Sequence, residues 1–589
     1  MDITTLRQQY QTGELTPHEL IDKVLARIAA NKDSRTWIHL LSREELYAYA
    51  DRLTDRSPET LPLYGVPFAI KDNIDLAGVP TTAGCPDYRY VPEESAFVVQ
   101  RLMAAGAIPI GKTNMDQFAA GLVGVRTPYG TARNPYSSDH IPGGSSSGSA
   151  VAVAAGEVAF SLGTDTAGSG RVPAAFCNLF GVKPTRGLLS TSGVVPACRS
   201  LDCVSIFACN AADAALVLEA ARGFDPMDPF SRRGLPTSKS HGHSFIFGIP
   251  SPGELEFFGN DQYGYLFDRA VARLEKLGGR KREINFAPFC EAARLLYEGP
   301  WVAERYAALQ KFIENRPDSF HRVTRDIISR GIEATAVAAF SASYRLEALR
   351  RETETVWEEI DVLVTPTAGT IYRVEEVEAD PICLNSNLGY YTNFMNLLDM
   401  SALAVPAGFT PGGLPFGITL AAPAFADEYL LSLGTRFGTA DDRERLTVAV
   451  CGAHLRGFPL NHQLLDLGGE FVREARTAPC YRLFALETIP PKPGLLRSSQ
   501  GGGSIDLEIW ELPAAGLGHF LAAIPAPLGL GKVELEDGEE VSCFLVEGAA
   551  VERSLEITEC GGWKNYLVSI RKGHFCELHS DETGRKPSD

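Results

Sequence analysis

Two glycine- and serine-rich clusters constrain this chain more than any other feature: Gly143-Gly144-Ser145-Ser146-Ser147-Gly148 and Gly163-Thr164-Asp165-Thr166-Ala167-Gly168-Ser169-Gly170-Arg171. Ser145 and Ser169 stand 24 residues apart, with the small-residue segment Ser149 to Leu162 between them. Taken alone, a run like Gly143 to Gly148 reads as a flexible linker. The second cluster changes that reading, and so does Lys71, 74 residues before Ser145 at the end of the apolar run Leu63 to Ile70. A lone lysine usually stays on the surface. An apolar surround would instead disfavour its ammonium form and lower its pKa.

These parts suit one chemistry. A serine hydroxyl must lose its proton as it attacks a carbonyl, and a desolvated lysine can take that proton. A second serine, donor and acceptor at once, can relay it. Glycines let the backbone approach a ligand and aim amide N–H groups at a developing oxyanion. His140, just ahead of the first cluster, is the competing base.

Matched position by position, the segments resemble the amidase signature family, whose serine, serine and lysine triad hydrolyses amides on a mixed α/β fold. The resemblance implies Ser169 as nucleophile, Ser145 as bridging serine and Lys71 as base, and leaves His140 as a loop histidine. It also implies a cis peptide at Gly144–Ser145 and an oxyanion hole formed by the backbone N–H groups of Thr166, Ala167, Gly168 and Ser169. Further matches are Gly111-Lys112-Thr113-Asn114, Phe180-Gly181-Val182-Lys183-Pro184-Thr185, Asp361 to Thr367 and Gly413 to Gly417. Lys112 and Lys183 are read as structural or surface residues. Asp165 is read as holding its loop through backbone hydrogen bonds, and Arg171 as bracing the site.

Composition narrows the partners. A net charge of −18 argues against nucleic acid and anionic membranes. No apolar run is long enough to span a bilayer, which disfavours the membrane-anchored fatty-acid amidases of the same family. The twelve cysteines show no zinc-like CxxC pairing. With no secretory signal they read as reduced, mostly buried thiols of a cytoplasmic protein. Neither a metal site nor a phosphate-binding or dinucleotide fingerprint is apparent, so no metal and no cofactor are expected.

Along the chain, Leu6 to Ala50 reads as amphipathic helices, with a helix start at Thr16-Pro17 and a turn at Asn31-Lys32-Asp33. The stretch after Ser145 reads as a buried helix, Pro226 to His243 as a surface loop, and Glu291 to Glu359 as helical. The first domain is expected over 1–437 as an α/β amidase-signature fold, a mixed sheet flanked by helices. A linker follows at 438–445, then a smaller α+β domain over 446–570 and a polar tail over 571–589.

Within that second domain, Cys451 to His462 and Ile557 to Leu567 resemble parts of the C-terminal domain of allophanate hydrolases, of γ-glutamyl-cyclotransferase-like type. The tRNA-dependent amidotransferases of the family lack it. The resemblance extends to Tyr297 and Arg305, which match residues that bind the substrate carboxylate; an arginine fork suits a planar carboxylate. Read without the match, Arg305 is a surface arginine paired with Glu304 or Glu298. The implied reaction is hydrolysis of allophanate to ammonia and N-carboxycarbamate, which loses carbon dioxide. His462 and His454 are the acid–base candidates of the second domain. A homodimer and a link to a biotin-dependent urea carboxylase are the implied partners. The alternatives are an amidase for other small amides, or a non-catalytic scaffold of a urea-metabolising assembly.

Overall fold

The computed structural model describes residues 1–234, 244–439, 445–467, 469–486, 488, 491–513, 517, 520–521 and 524–571. The end of the expected Pro226–His243 loop (235–243), the middle of the expected linker (440–444) and nearly all of the expected tail (572–589) lie outside the described residues. The chain divides into two compact units, Met1–Ala440 and Asp441–Asp589.

In the first unit the strands are β1 Trp37–Leu40, β2 Pro67–Lys71, β3 Ile108–Thr113, β4 Phe160–Asp165, β5 Phe180–Lys183 and β6 Cys203–Ala208. Then come β7 Phe245–Pro250, β8 Gly279–Ile284, β9 Val362–Pro366, β10 Met400–Phe409 and β11 Pro415–Pro423. Among the described residues they form one eleven-stranded sheet, ordered β1-β3-β2-β4-β6-β5-β10-β11-β9-β7-β8. The sheet is mixed: β2 runs parallel to β3 and β4, whereas β4–β6 and β10–β11 are antiparallel. β2, β3, β4 and β6 are buried along their whole length, as strands covered on both faces must be.

Helices flank the sheet. Near the N-terminus, Pro17–Ala30 starts at a capping box in which Thr16 and Glu19 satisfy each other's backbone N–H groups. The purely helical expectation for Leu6 to Ala50 misses β1. Trp37-Ile38-His39-Leu40 does not alternate strictly between apolar and polar, so it gives no period-two signal, and pairing with β3 makes it a strand. The stretch expected as helical from Glu291 is a set of helices, Ala287–Glu298, Trp301–Asn315, Arg322–Ser329 and Ala336–Glu354. Gly299 and Pro300 divide the first two, because Pro300 cannot donate into a continuous helix.

The helix Ser147–Ala154 is buried from Ser147 to Val153. It lies so close to its neighbours that a side chain at Gly148 would place Cβ 2.4 Å from the Thr36 carbonyl oxygen and 2.5 Å from Asn114 N. Small residues therefore set the distance between this helix and the sheet.

In the second unit the strands are β12 Arg445–Val450, β13 Glu470–Arg476, β14 Tyr481–Leu486, β15 Lys492–Arg497, β16 Asp506–Pro513, β17 Leu528–Glu534, β18 Glu540–Val546 and β19 Leu555–Glu556. They form a five-stranded sheet, β13-β16-β12-β18-β17, and a three-stranded one, β15-β14-β19. With the helix Trp563–Arg571 this is an α+β unit, and its core is built on Tyr481, Trp510 and Trp563.

Replacing Gly148 by alanine should cost about 1–3 kcal/mol of stability by overpacking backbone that cannot yield. A lower urea midpoint for the first unfolding transition of the full chain is the expected result.

Candidate active site

Register in the sheet builds the site. β2 and β4 pair in parallel with Ile70 opposite Leu162, so Lys71 and Thr164 leave the same ends of adjacent strands. Lys71 Nζ lies 2.8 Å from Ser145 Oγ and 2.7 Å from Thr164 Oγ1. Ser145 and Lys71 are both fully buried. Lys71 makes no salt bridge among the described residues, and burial pulls its pKa from 10.5 down to about 7, against the opposing pull of Asp116, Asp165 and Asp202. The lysine is held by hydroxyls, so a substantial neutral fraction is available near neutral pH.

Ser145 follows a cis peptide bond from Gly144, as the sequence resemblance implies. Its carbonyl accepts the Asp116 N–H at 3.1 Å, and the Gly144 N–H donates to the Leu122 carbonyl at 2.8 Å. Ser146 bonds the Thr164 carbonyl and N–H, tying the first cluster to the second.

Ser169 is 3 % exposed, and its hydroxyl rests 3.4 Å from the Gly121 carbonyl. The Lys71–Ser145 contact is thus formed, whereas Ser169 is hydrogen-bonded to Gly121 and not to Ser145. Of the four amides expected to form an oxyanion hole, the Gly168 N–H is committed to Asp165 Oδ1 at 2.8 Å. The N–H groups of Thr166, Ala167 and Ser169 meet no acceptor among the described residues. Gly168 has φ +138°, and a Cβ there would stand 2.4 Å from Thr392 Oγ1, so only glycine fits.

Asp165 organises this loop. It accepts the Gly168 and Gly170 N–H groups and a two-pronged contact from Arg171, each prong 2.9 Å. Burial opposes its charge, yet Arg171 holds its carboxyl below the usual range. Arg171 also reaches the Thr392 carbonyl at 3.2 Å, so it is a brace. Lys112 and Lys183 are buried: Lys112 donates to Thr81 at 2.8 Å and faces Asp72 at 3.6 Å, while Lys183 donates to the Pro184 carbonyl at 2.8 Å. His140, paired with Ser137 in a loop, is not in contact with the serines or Lys71.

Three neighbours escape a reading of the sequence. Thr164, the second partner of Lys71, lies inside the second cluster with nothing to set it apart. Asp202 accepts from the Thr166 hydroxyl and from the Ala197 and Cys198 N–H groups, the last two at 2.9 and 3.1 Å. It stands one residue before β6, whose first residue, Cys203, pairs with Asp165 of β4. The third is Arg126, 1 % exposed.

Arg305 is 2 % exposed, with its guanidinium carbon 5.5 Å from the centre of the Tyr297 ring. The alternative pairings fail: Glu304 is engaged by the N–H and hydroxyl of Ser200, each at 2.7 Å, and Arg305 makes no salt bridge with Glu298. Among the described residues, Arg305 Nε and Nη2 have no hydrogen-bond partner. Tyr297 and Ala167 belong to one apolar cluster, which joins the helical segment to the second serine cluster.

In the second unit His454 borders a cavity of about 250 Å³, with Gln463, Lys492, Phe520 and Phe544 around it. Its Nε2 lies 2.9 Å from Gln463, and burial lowers its pKa from 6.5. His462 is exposed, 2.9 Å from the Pro459 carbonyl, and does not line that cavity. The described residues contain no cluster of side chains able to hold a metal ion and no helix long and apolar enough to cross a membrane.

Comparison with known proteins gives the same two-part division. Residues 19–431 match the amidase family and residues 446–568 match the allophanate hydrolase C-terminal domain. The chain is 42 % identical to urea amidolyase of Saccharomyces cerevisiae over 91 % of its length, and that match spans 31 % of the yeast protein. It is 41 % identical to urea amidolyase of Lachancea kluyveri over 95 % of this chain and 33 % of that one. Among solved structures, Kluyveromyces lactis allophanate hydrolase aligns with a TM-score of 0.70 at 40 % identity, over 96 % of this chain and 99 % of that one. The two serine–glycine clusters, the buried lysine and both matched domains together make this chain a member of the amidase family that carries an allophanate hydrolase C-terminal domain.

Proposed function

We propose that the chain hydrolyses allophanate through Ser169, Ser145 and Lys71. The observation that carries this reading is Arg305, a buried guanidinium with two unpartnered nitrogens and no carboxylate in contact. Such a group has a strong unmet demand for an anion. Allophanate is a small planar amide bearing one carboxylate, which an arginine fork can bind.

In the reaction the Ser169 hydroxyl leaves the Gly121 carbonyl, turns to Ser145 and attacks the carbamoyl carbon. Its proton passes through Ser145 to neutral Lys71. The unengaged N–H groups of Thr166, Ala167 and Ser169 stabilise the oxyanion, while Gly168 contributes through its conformation. Lys71 returns the proton to the leaving nitrogen, ammonia departs, and water resolves the acyl-enzyme by the same relay to N-carboxycarbamate. That product loses carbon dioxide, and His454 is the acid–base candidate for this step in the second unit. His462, exposed beside the Pro459 carbonyl and near enough for its charge to act on His454, is the second candidate.

The chain spans about a third of the curated urea amidolyase relatives it matches, 31 % and 33 % of their lengths. A functional link to a urea carboxylase follows from that likeness and belongs to the proposal, as does a homodimer. A cytoplasmic location is supported by the unpaired state of the described cysteines, which a reducing compartment maintains.

Three experiments test this reading: substrate preference, loss of the nucleophile and the pH profile. Ammonia release from allophanate should exceed release from biuret, which replaces the carboxylate by a neutral amide. Arg305→Gln should erase that preference; equal turnover of both substrates by the unaltered protein would discard the carboxylate pocket. Ser169→Ala should lose nearly all ammonia release, about 10³-fold or more, and full activity would remove Ser169 from the mechanism. Finally, kcat/KM should fall as pH drops through about 7, because protonating Lys71 removes the base. In Lys71→Ala that limb should vanish, leaving a small rate that climbs with hydroxide.

A further inference from the structure

The nitrogens of Arg305 are not the only buried guanidinium donors left without a partner. Arg126 Nε is another. Arg126 makes no salt bridge among the described residues; its Nη1 and Nη2 donate to the Ala120 and Pro381 carbonyls at 2.7 and 2.6 Å. The carboxylate of Asp116 is taken by the backbone N–H groups of Gly124 and Arg126, each at 2.9 Å. The nearest carboxylate on its own loop is therefore already engaged.

Two observations tie Arg126 to the proposed pocket. First, Arg126 and Tyr297 line one cavity of about 620 Å³ together with Glu298, Arg330 and Glu333; Arg305 does not line it, but its guanidinium lies beside the Tyr297 ring. Burial and, to a lesser degree, the charge of Arg305 disfavour the Arg126 cation, with Asp116 opposing. Second, Arg126 grips the Ala120 carbonyl, one peptide before the Gly121 carbonyl on which the Ser169 hydroxyl rests. The second cation is thus linked both to the serine site and to Arg305. Two buried like charges disfavour each other when nothing lies between them, and an anion between them relieves both.

We infer that Arg126 is a second anion-recognising residue of this pocket, acting with Arg305 to select a planar carboxylate-bearing amide over a neutral one. This rests on the reading that Arg305 binds the substrate carboxylate. Arg126 supplies charge and one N–H group; its two terminal nitrogens stay on backbone carbonyls and keep that N–H aimed.

The test is selectivity, measured as ammonia release by the purified full chain with allophanate and biuret. In Arg126→Gln, kcat/KM for allophanate should fall about tenfold or more, mainly through KM, as the loss of one charged contact predicts. For biuret it should change less than about threefold. Arg126→Lys keeps the charge but not the fork, and should retain an intermediate preference. If the glutamine variant does not fold, the lysine variant decides alone: a several-fold rise in KM for allophanate with biuret unchanged upholds the role. An equal fall with both substrates, or no change with allophanate, overturns it and leaves Arg126 a structural brace. Arg305→Gln, run in parallel, separates the two ideas. If it too leaves selectivity intact, the carboxylate pocket itself has failed; if it alone removes selectivity, only the role of Arg126 has.

Discussion

Placing a lysine in an apolar sheet without giving it a carboxylate is the constraint on which this architecture turns. Lys71 ends a strand buried on both faces, and its amine meets two hydroxyls. A direct ion pair would have fixed the ammonium form. Complete isolation would have left a buried polar group unsatisfied, at a cost of several kcal/mol. Hydroxyls avoid both, since they bond either protonation state. The carboxylates nearby are committed elsewhere: Asp165 to Arg171 and backbone amides, Asp116 to two amides, and Asp202 to Thr166 and two amides. They act on Lys71 only through space.

The same economy of small groups shapes the loops. The helix Ser147–Ala154 can lie against the sheet because its neighbours would clash with any side chain at Gly148. The loop before Ser169 is shaped by Asp165, whose buried charge Arg171 offsets: Asp165 takes the Gly168 and Gly170 N–H groups, while those of Thr166, Ala167 and Ser169 meet no acceptor among the described residues. Among the described residues, the loop before Ser169 and the two arginines each leave donors unpartnered: loop amides on one side, guanidinium nitrogens of Arg126 and Arg305 on the other. An anionic amide carries acceptors at both ends, a carboxylate and a carbonyl that becomes an oxyanion. Donor excess at two places is the electrostatic complement of such a molecule.

Legibility in the sequence followed the range of the interactions. The serine clusters, the lysine, the bracing roles of Asp165 and Arg171 and the helical stretch after Glu291 are local patterns, and they were readable; the cis peptide came only through the family resemblance. The burial of Lys112 and Lys183 was only half readable, because a lysine is the same letter inside or outside. β1 was invisible, since Trp37-Ile38-His39-Leu40 does not alternate strictly between apolar and polar. Asp202 and Arg126 had no signal at all. Each reaches the site through a partner far away in the chain: Asp202 through the antiparallel pairing of β4 with β6, Arg126 through its bond to the Pro381 carbonyl. The committed Gly168 N–H was equally unreadable, because it depends on where the Asp165 carboxylate turns.

Covalent order alone dictates which residue types are available for chemistry, their spacing and the two-part organisation of the chain, because side-chain chemistry does not depend on folding. Packing in three dimensions settles which of those groups are buried, which are paired and which are left wanting a partner. Those are properties of a shared environment: burial lowers the pKa of Lys71, and the lack of a carboxylate in contact leaves Arg305 open to an anion. Neither exists until strands and helices distant in the chain close around the same few side chains.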